Sequence, residues 1–213
     1  EDMAVAGTAA GGYVAMWREW VNDAWYLRYT LLDGNGAPQI PVQNLMTMPS
    51  GWFGFLGVAV APNGNIGLSW QQIQDRWVNS QWEYNYNVYF AALNPAGGYL
   101  LAPTNLTNNS NWWRDRDSVY VPCFYNGQIV ATTDNRFAVA WEQEIVTDDF
   151  WQDDIFYTVR SGDGQVVKPV TQFSINASTN VNSAERPRLA ALDGNRFALA
   201  YYTWDTDGVR VAV

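Results

Sequence analysis

One six-residue stretch, Arg136-Phe137-Ala138-Val139-Ala140-Trp141, constrains this chain more than any other, because it recurs. It returns as Arg196-Phe197-Ala198-Leu199-Ala200-Tyr201 and, more loosely, as Gly12-Tyr13-Val14-Ala15-Met16-Trp17 and Asn65-Ile66-Gly67-Leu68-Ser69-Trp70. In the clearest copies large apolar residues alternate with alanines, which is the period of a β-strand. Neither face is polar, so the strand is expected to be buried on both sides. Four copies of such a strand imply a repeat architecture. Their last aromatics, Trp17, Trp70, Trp141 and Tyr201, follow one another at spacings of 53, 71 and 60 residues.

The surroundings of each copy repeat as well. A short strand precedes it (Met3–Ala6, Val58–Ala61, Ile129–Thr132, Leu189–Leu192), and another follows it (Leu27–Leu31, Val88–Ala92, Ile155–Val159, Val209–Val213). Glycine- and asparagine-bearing turns such as Asp33-Gly34-Asn35-Gly36 and Ser161-Gly162-Asp163-Gly164 then suit tight hairpins. A further strand carries a proline in three repeats (Pro41, Pro103, Pro169), and proline is tolerated mainly at sheet edges. Each repeat is thus expected to hold four antiparallel strands, here lettered a to d, with b and c buried and d at the edge. No stretch has helical periodicity. Repeated four-stranded units of this length predict an all-β, β-propeller-type array. The repeats run approximately over 1–54, 55–121, 122–186 and 187–213. They amount to about three and three-quarter blades in one domain, and we expect the chain to be a piece of a longer one.

The run Leu192-Asp193-Gly194-Asn195-Arg196-Phe197-Ala198-Leu199-Ala200-Tyr201, with Asp154-Ile155-Phe156-Tyr157-Thr158-Val159-Arg160-Ser161-Gly162-Asp163-Gly164, resembles the repeats of large secreted and surface-attached bacterial β-propeller proteins. The resemblance is best over residues 122–213 and rests only on the anchor residues over 1–121. It implies an extracellular, array-forming scaffold and carries no shared catalytic residues. Turn Ser161–Gly164 lacks the following Gly and Trp of a sialidase Asp-box and reads as a hairpin turn.

Composition narrows the chemistry. The 213 residues contain no His, which removes imidazole-based catalysis and most zinc sites. Cys123 is the only cysteine and Val121 and Phe124 lie close to it, so it reads as a small buried residue rather than half of a disulfide. A formal charge of −9 makes nucleic acid an improbable partner. No run is apolar for long enough to span a membrane. Sequons at Asn105, Asn108 and Asn176 fit secretion.

Loop lengths indicate where function sits. The a–b and c–d turns are short, whereas the b–c segments (Arg18–Tyr26, Gln71–Asn87, Glu142–Asp154, Tyr202–Gly208) and the d–a segments are long, and insertions on one face of a repeat array mark its binding face. The chain's 12 tryptophans concentrate there. Trp20, Trp25, Trp77, Trp82, Trp151 and Trp204 lie in b–c segments; Trp52, Trp112 and Trp113 lie in d–a segments. Aromatic faces beside acceptor groups suit sugar rings, so these six b–c tryptophans are the candidate glycan-binding residues. They also suit packing between hairpins, or contact with a protein subunit in an assembly with other chains. The expected role is a secreted or cell-surface binding or structural module. Two alternatives stay open: a structural subunit of a filament or surface layer, and a propeller-fold glycoside hydrolase using paired carboxylates. For the latter Asp75 and Glu83, flanked by Trp77 and Trp82, and Glu142 beside Trp141 are the candidates. Asp148-Asp149 with Asp153-Asp154, or Asp205-Thr206-Asp207-Gly208, supply oxygen ligands of the kind calcium takes, although neither follows the twelve-residue loop spacing with its terminal Glu. The mixed segment Trp112–Asp117 is expected to pair its own Arg and Asp residues.

Overall fold

The computed structural model describes residues 3–114, 123–146, 151–173, 184–203 and 208–212. Among the described residues every regular element is a strand. Four antiparallel sheets follow one another along the chain. The first contains β1 (Met3–Gly7), β2 (Tyr13–Val21), β3 (Ala24–Leu32) and β4 (Gln43–Met48). The second contains β5 (Trp52–Val60), β6 (Ile66–Val78), β7 (Gln81–Leu93) and β8 (Tyr99–Asn105), with β9 (Trp113–Arg114) also paired to β7. The third contains β10 (Cys123–Ala131), β11 (Phe137–Val146), β12 (Trp151–Arg160) and β13 (Val166–Gln172). The fourth contains β14 (Ala184–Ala191), β15 (Phe197–Thr203) and β16 (Gly208–Ala212). Each sheet meanders in chain order, and the first strands of all four line one central cavity of about 390 Å³ that includes Met3, Val58, Ile129 and Arg188.

The alternation of large and small side chains explains how the sheets stack. In β11 the large set Phe137, Val139 and Trp141 packs on the second sheet, in a core shared with Val88, Phe90 and Leu106. The small set of β6 receives it: a Cβ added at Gly67 would lie 2.7 Å from the Phe137 ring. A large face therefore enters a small face, and close packing follows without strain. Trp70 and Trp141 are almost wholly excluded from solvent and stack on Tyr89 and Phe156 of the neighbouring strand, at ring distances of 5.5 and 6.3 Å. Burying each such ring is worth roughly 3 kcal/mol. The first copy departs from the expected double burial, since Trp17 is half-buried and Tyr13 is 43% exposed.

A second recurring device was not foreseen. The first strands are longer than the sequence indicates, beginning at Trp52, Cys123 and Ala184, and each contains a β-bulge. The bulged residues Phe55, Asn126 and Arg186 have positive φ (47°, 51° and 55°), and each bulge lies opposite an anchor aromatic: Trp70, Trp141 or Tyr201. An extra residue there bends the strand and re-aims its backbone groups. The residue after each of the first three anchors bonds to the backbone of the next first strand at this level. The Arg18 guanidinium donates to the Phe53 carbonyl and the Gln71 amide to the Phe124 carbonyl. Glu142, which can only accept, instead takes the Arg186 N–H at 2.8 Å.

The short turns behave as expected and tie neighbouring sheets together. Asn63 N–H donates to Asn135 Oδ1 (2.7 Å), Asn65 Nδ2 to Gly162 O (3.0 Å) and Tyr29 Oη to Gly97 O (2.9 Å). Of the edge-strand prolines, Pro103 and Pro169 sit at register shifts inside β8 and β13, where a missing N–H costs no ladder bond. Pro41 lies ahead of β4.

Candidate functional site

In the first two sheets the b–c segments are not loops but continuations of the central strands, closed by two-residue turns. Asn22 and Asp23 (φ 50° and 58°) and Asn79 and Ser80 (φ 50° and 63°) adopt the paired positive φ that a type I′ turn requires. One residue pair back from the turns stand the cross-strand pairs Trp20–Trp25 and Trp77–Trp82. Their rings meet edge to face at 5.5 and 5.2 Å. The sequence carries a signal for these hairpins: Trp20-Val21-Asn22-Asp23-Ala24-Trp25 and Trp77-Val78-Asn79-Ser80-Gln81-Trp82 share the pattern Trp-Val-Asn-x-x-Trp.

These tips present aromatic surface to solvent. Trp20, Trp77 and Trp82 are 50%, 59% and 47% exposed, and Trp25 is half-buried beneath the Arg18 guanidinium. Trp77 and Trp82 lie on the face of their hairpin that carries Asp75 and Tyr84, because register places 75, 77, 82 and 84 on one side. Trp151 opens β12, and Trp204 lies outside the described residues. Trp52 begins a strand rather than occupying a loop, and Trp113 belongs to the short strand β9.

The structure separates the expected carboxylate pair. Asp75 and Glu83 point to opposite faces of the β6–β7 hairpin. Glu83 is fully buried and bound by Arg76 through Nε and a terminal nitrogen at 2.7 and 2.6 Å, while Trp112 covers that guanidinium at 3.9 Å. Its charge is thus matched by a fixed partner, which is the opposite of the apolar niche a general acid needs. Arg76, rather than a neighbour within 112–117, is the partner found for Trp112; Asp115, Arg116 and Asp117 lie outside the described residues.

Glu142 belongs to a different group of acids, at the seam between the third and fourth sheets. Its Oε2 accepts from Asn126 Nδ2 (2.9 Å) and from Arg186 N–H. Glu144 and Asp153 are direct cross-strand partners on the same face, and Glu185 of β14 faces them. Burial pushes the Asp153 carboxyl up to about 7, reinforced by the charges of Glu142, Glu185 and Glu144. Burial also raises Glu142, against the two hydrogen bonds that favour its anion, and raises Glu144, against a hydrogen bond from Tyr125. Like charges held directly opposite one another retain a proton among them. The neighbouring Cys123 is buried as expected, and burial lifts its thiol to about 12.

Among the described residues no three acid, Cys or His side chains are grouped to hold a metal ion. Asp148, Asp149, Asp205 and Asp207 lie outside the described residues, as does the sequon residue Asn176. Asn105 is held from within, its Nδ2 donating to Asn87 Oδ1 at 2.9 Å. No helix among the described residues is long and apolar enough to cross a membrane.

No family model and no curated protein matches this chain. Solved structures do share its arrangement of sheets. A Hadza microbial sialidase aligns at 12% identity with a TM-score of 0.60, over 99% of this chain and 43% of that one. A protein of unknown function from Dyadobacter fermentans aligns at 10% identity and TM-score 0.53, over 95% and 61%. The polysaccharide lyase Uly1 aligns at 8% identity and TM-score 0.51, over 94% and 54%. The chain therefore spans less than two thirds of the length of these structures. At such identities the likeness concerns the fold. Together with the four meandering sheets, it defines an all-β protein of β-propeller type.

Proposed function

We infer that this propeller is an extracellular or cell-surface glycan-binding module whose contact face is formed by the tips of the β2–β3 and β6–β7 hairpins. The observation that carries this reading is the repetition of one exposed, edge-to-face tryptophan pair at the same place in adjacent blades. A rigid two-residue turn holds each pair in place, and a sugar ring presents an apolar C–H face that stacks on such surfaces. The solved structures of similar fold include a sialidase and a polysaccharide lyase, which supports a polysaccharide-related role. The resemblance to repeats of secreted bacterial propeller proteins supports the location, and a surface module of this kind also suits contact with a neighbouring subunit. Titration with a panel of polysaccharides, following tryptophan emission, tests the reading. A saturable change that weakens in Trp82→Ala supports it, and an unchanged spectrum across the panel removes it.

The acid cluster favours a second reading, hydrolysis of a glycosidic bond. A carboxyl poised near neutrality beside carboxylates is the arrangement that general acid–base chemistry uses. Asp153, with Glu142 and Glu144, would then supply the acid and the base, in place of Asp75 and Glu83. New reducing ends in the titration samples, abolished in Asp153→Asn, are the expected sign; their absence throughout the panel leaves binding alone.

A further inference from the structure

The third sheet buries a charge at a position where the first two carry leucine. Arg160, the last residue of β12, stands directly across from Phe137. The equivalent cross-strand pairs are Tyr13–Leu32 in the first sheet and Ile66–Leu93 in the second. Directly opposite residues share a face of the sheet. Phe137 packs on the second sheet, against Phe90 and Gly67, so the Arg160 side chain enters the seam between the second and third blades.

That side chain has no partner among the described residues. Arg160 is 8% exposed, and its Nε is sealed from solvent without an acceptor, whereas the terminal nitrogens keep contact with solvent. Burial alone lowers its pKa from the ordinary arginine value. The guanidinium nevertheless stays protonated, and a charge taken out of water without a counter-charge is costly. A leucine fills the same position in the neighbouring sheets without that cost.

The acids of the flanking turns are committed elsewhere. Asp134, ahead of β11, holds Arg136 at 2.9 Å. Asp163, just beyond β12, accepts from the Ser161 hydroxyl and from N–H groups of its own turn. That turn lies against the second blade: a Cβ at Gly162 would stand 3.4 Å from Nδ2 of both Asn63 and Asn65, and one at Gly164 would stand 2.6 Å from Leu101. Asn65 Nδ2 donates to the Gly162 carbonyl, while Asn63 Nδ2 has no acceptor among the described residues. Both unmet groups at this end of the seam are donors. The occupant that completes it is therefore an acceptor and, at the guanidinium, an anion.

The planar guanidinium offers its terminal N–H groups as a fork that matches the two oxygens of a carboxylate, and one cation balances one negative charge. We propose that Arg160 binds a single carboxylate at the short-turn end of the seam between the second and third blades, carried by a uronate sugar or by a small organic acid. The site lies at the opposite end of the blades from the tryptophan tips and stands independently of the glycan-binding reading.

The test titrates ¹⁵N-labelled protein with sodium acetate and with methyl glucuronide, against sodium chloride at equal ionic strength and against methyl glucoside. The Arg160 Nε–H cross-peak, assigned by its loss in Arg160→Leu, is expected to shift saturably with both carboxylates and with neither control. Arg160→Leu restores the residue that the first two sheets carry. It is expected to melt no lower than the native protein in chloride, and to lose the rise in melting temperature that carboxylates give the native protein. Arg160→Lys, which keeps the charge without the fork, is expected to bind about tenfold more weakly. Tighter binding of the glucuronide than of acetate identifies a uronate sugar as the carrier, and equal binding identifies a free acid. A peak that no carboxylate moves, one that chloride or sulfate moves equally, or a melting rise that survives in Arg160→Leu overturns the proposal. So does a peak that shifts with protein concentration alone, which would put a carboxylate of a second copy in the seam. If polysaccharide binding depends on Trp82 while the Nε–H peak stays still, this site fails and the tip assignment stands. If the peak shifts while Trp82→Ala leaves polysaccharide binding intact, the reverse holds.

Discussion

The two ends of the blades are made from the same strands and differ in how they are bonded and buried. On the face of the short turns, neighbouring blades are bonded to each other: Asn63 to Asn135, Asn65 to Gly162, Thr133 to Gly194. On the opposite face Arg18, Gln71 and Glu142 reach the next first strand at the level of the bulges. Beyond that level β6 and β7 run on as a hairpin that ends in exposed tryptophans. The comparison teaches that burial and bonding at one end of a strand free the other end to carry surface that does not stabilise the fold. A propeller blade is a long lever held by its inner half.

Substitutions ought to divide along the same line. The largest loss of stability is expected at the held half: Trp141→Ala removes a fully buried ring and should cost about 3–5 kcal/mol in urea unfolding. The acid seam comes next. The Asp153 carboxyl is raised from its ordinary value to about 7, so between roughly pH 4 and pH 7 the folded protein holds a proton that the unfolded chain has released. Stability from this seam is therefore fullest at the acid end of that window and is lost as pH rises through about 7. Thermal unfolding in steps from pH 5 to pH 8 should show the decline, and Asp153→Asn should flatten it. Gly67→Val comes third, because its side chain meets Phe137 and Ile129 within 3 Å, and overpacking of this kind costs about 1–3 kcal/mol. The smallest effect on stability, about 0.5–1.5 kcal/mol, belongs to Trp82→Ala at the free end. That variant should nevertheless lose glycan binding, and a variant that lost stability and binding in proportion would erase the distinction between the two halves.

Much of the held half was legible in the sequence. The large–small alternation of Phe137 to Trp141 is itself the packing rule, and the glycine- and asparagine-bearing turns announce their hairpins through the φ values they permit. The bulges were not legible. Phe55, Asn126 and Arg186 share no residue type, and of the three only Asn favours positive φ by itself, so no sequence pattern marks the position. The free half reads as loops because its polar, tryptophan-rich sequence lacks an apolar face; the face it buries is polar, made of Glu83, Asn85 and Asn87. Two-residue turns at Asn22-Asp23 and Asn79-Ser80 nevertheless keep it in register. Which acids meet was also beyond the sequence: a separation of eight residues puts Asp75 and Glu83 on opposite faces, whereas register joins Glu144 to Asp153 and the next blade adds Glu185.

The most direct test sets one face against the other. Polysaccharide titrations would compare the native protein with Trp77→Ala/Trp82→Ala on the hairpin face and with Tyr99→Ala, a 45% exposed aromatic near the short-turn face. The account expects saturable binding by the native protein and by Tyr99→Ala, and its loss in the double tryptophan variant at unchanged unfolding temperature to within a few degrees. Native-like binding by the double tryptophan variant, or equal loss in Tyr99→Ala, would contradict it.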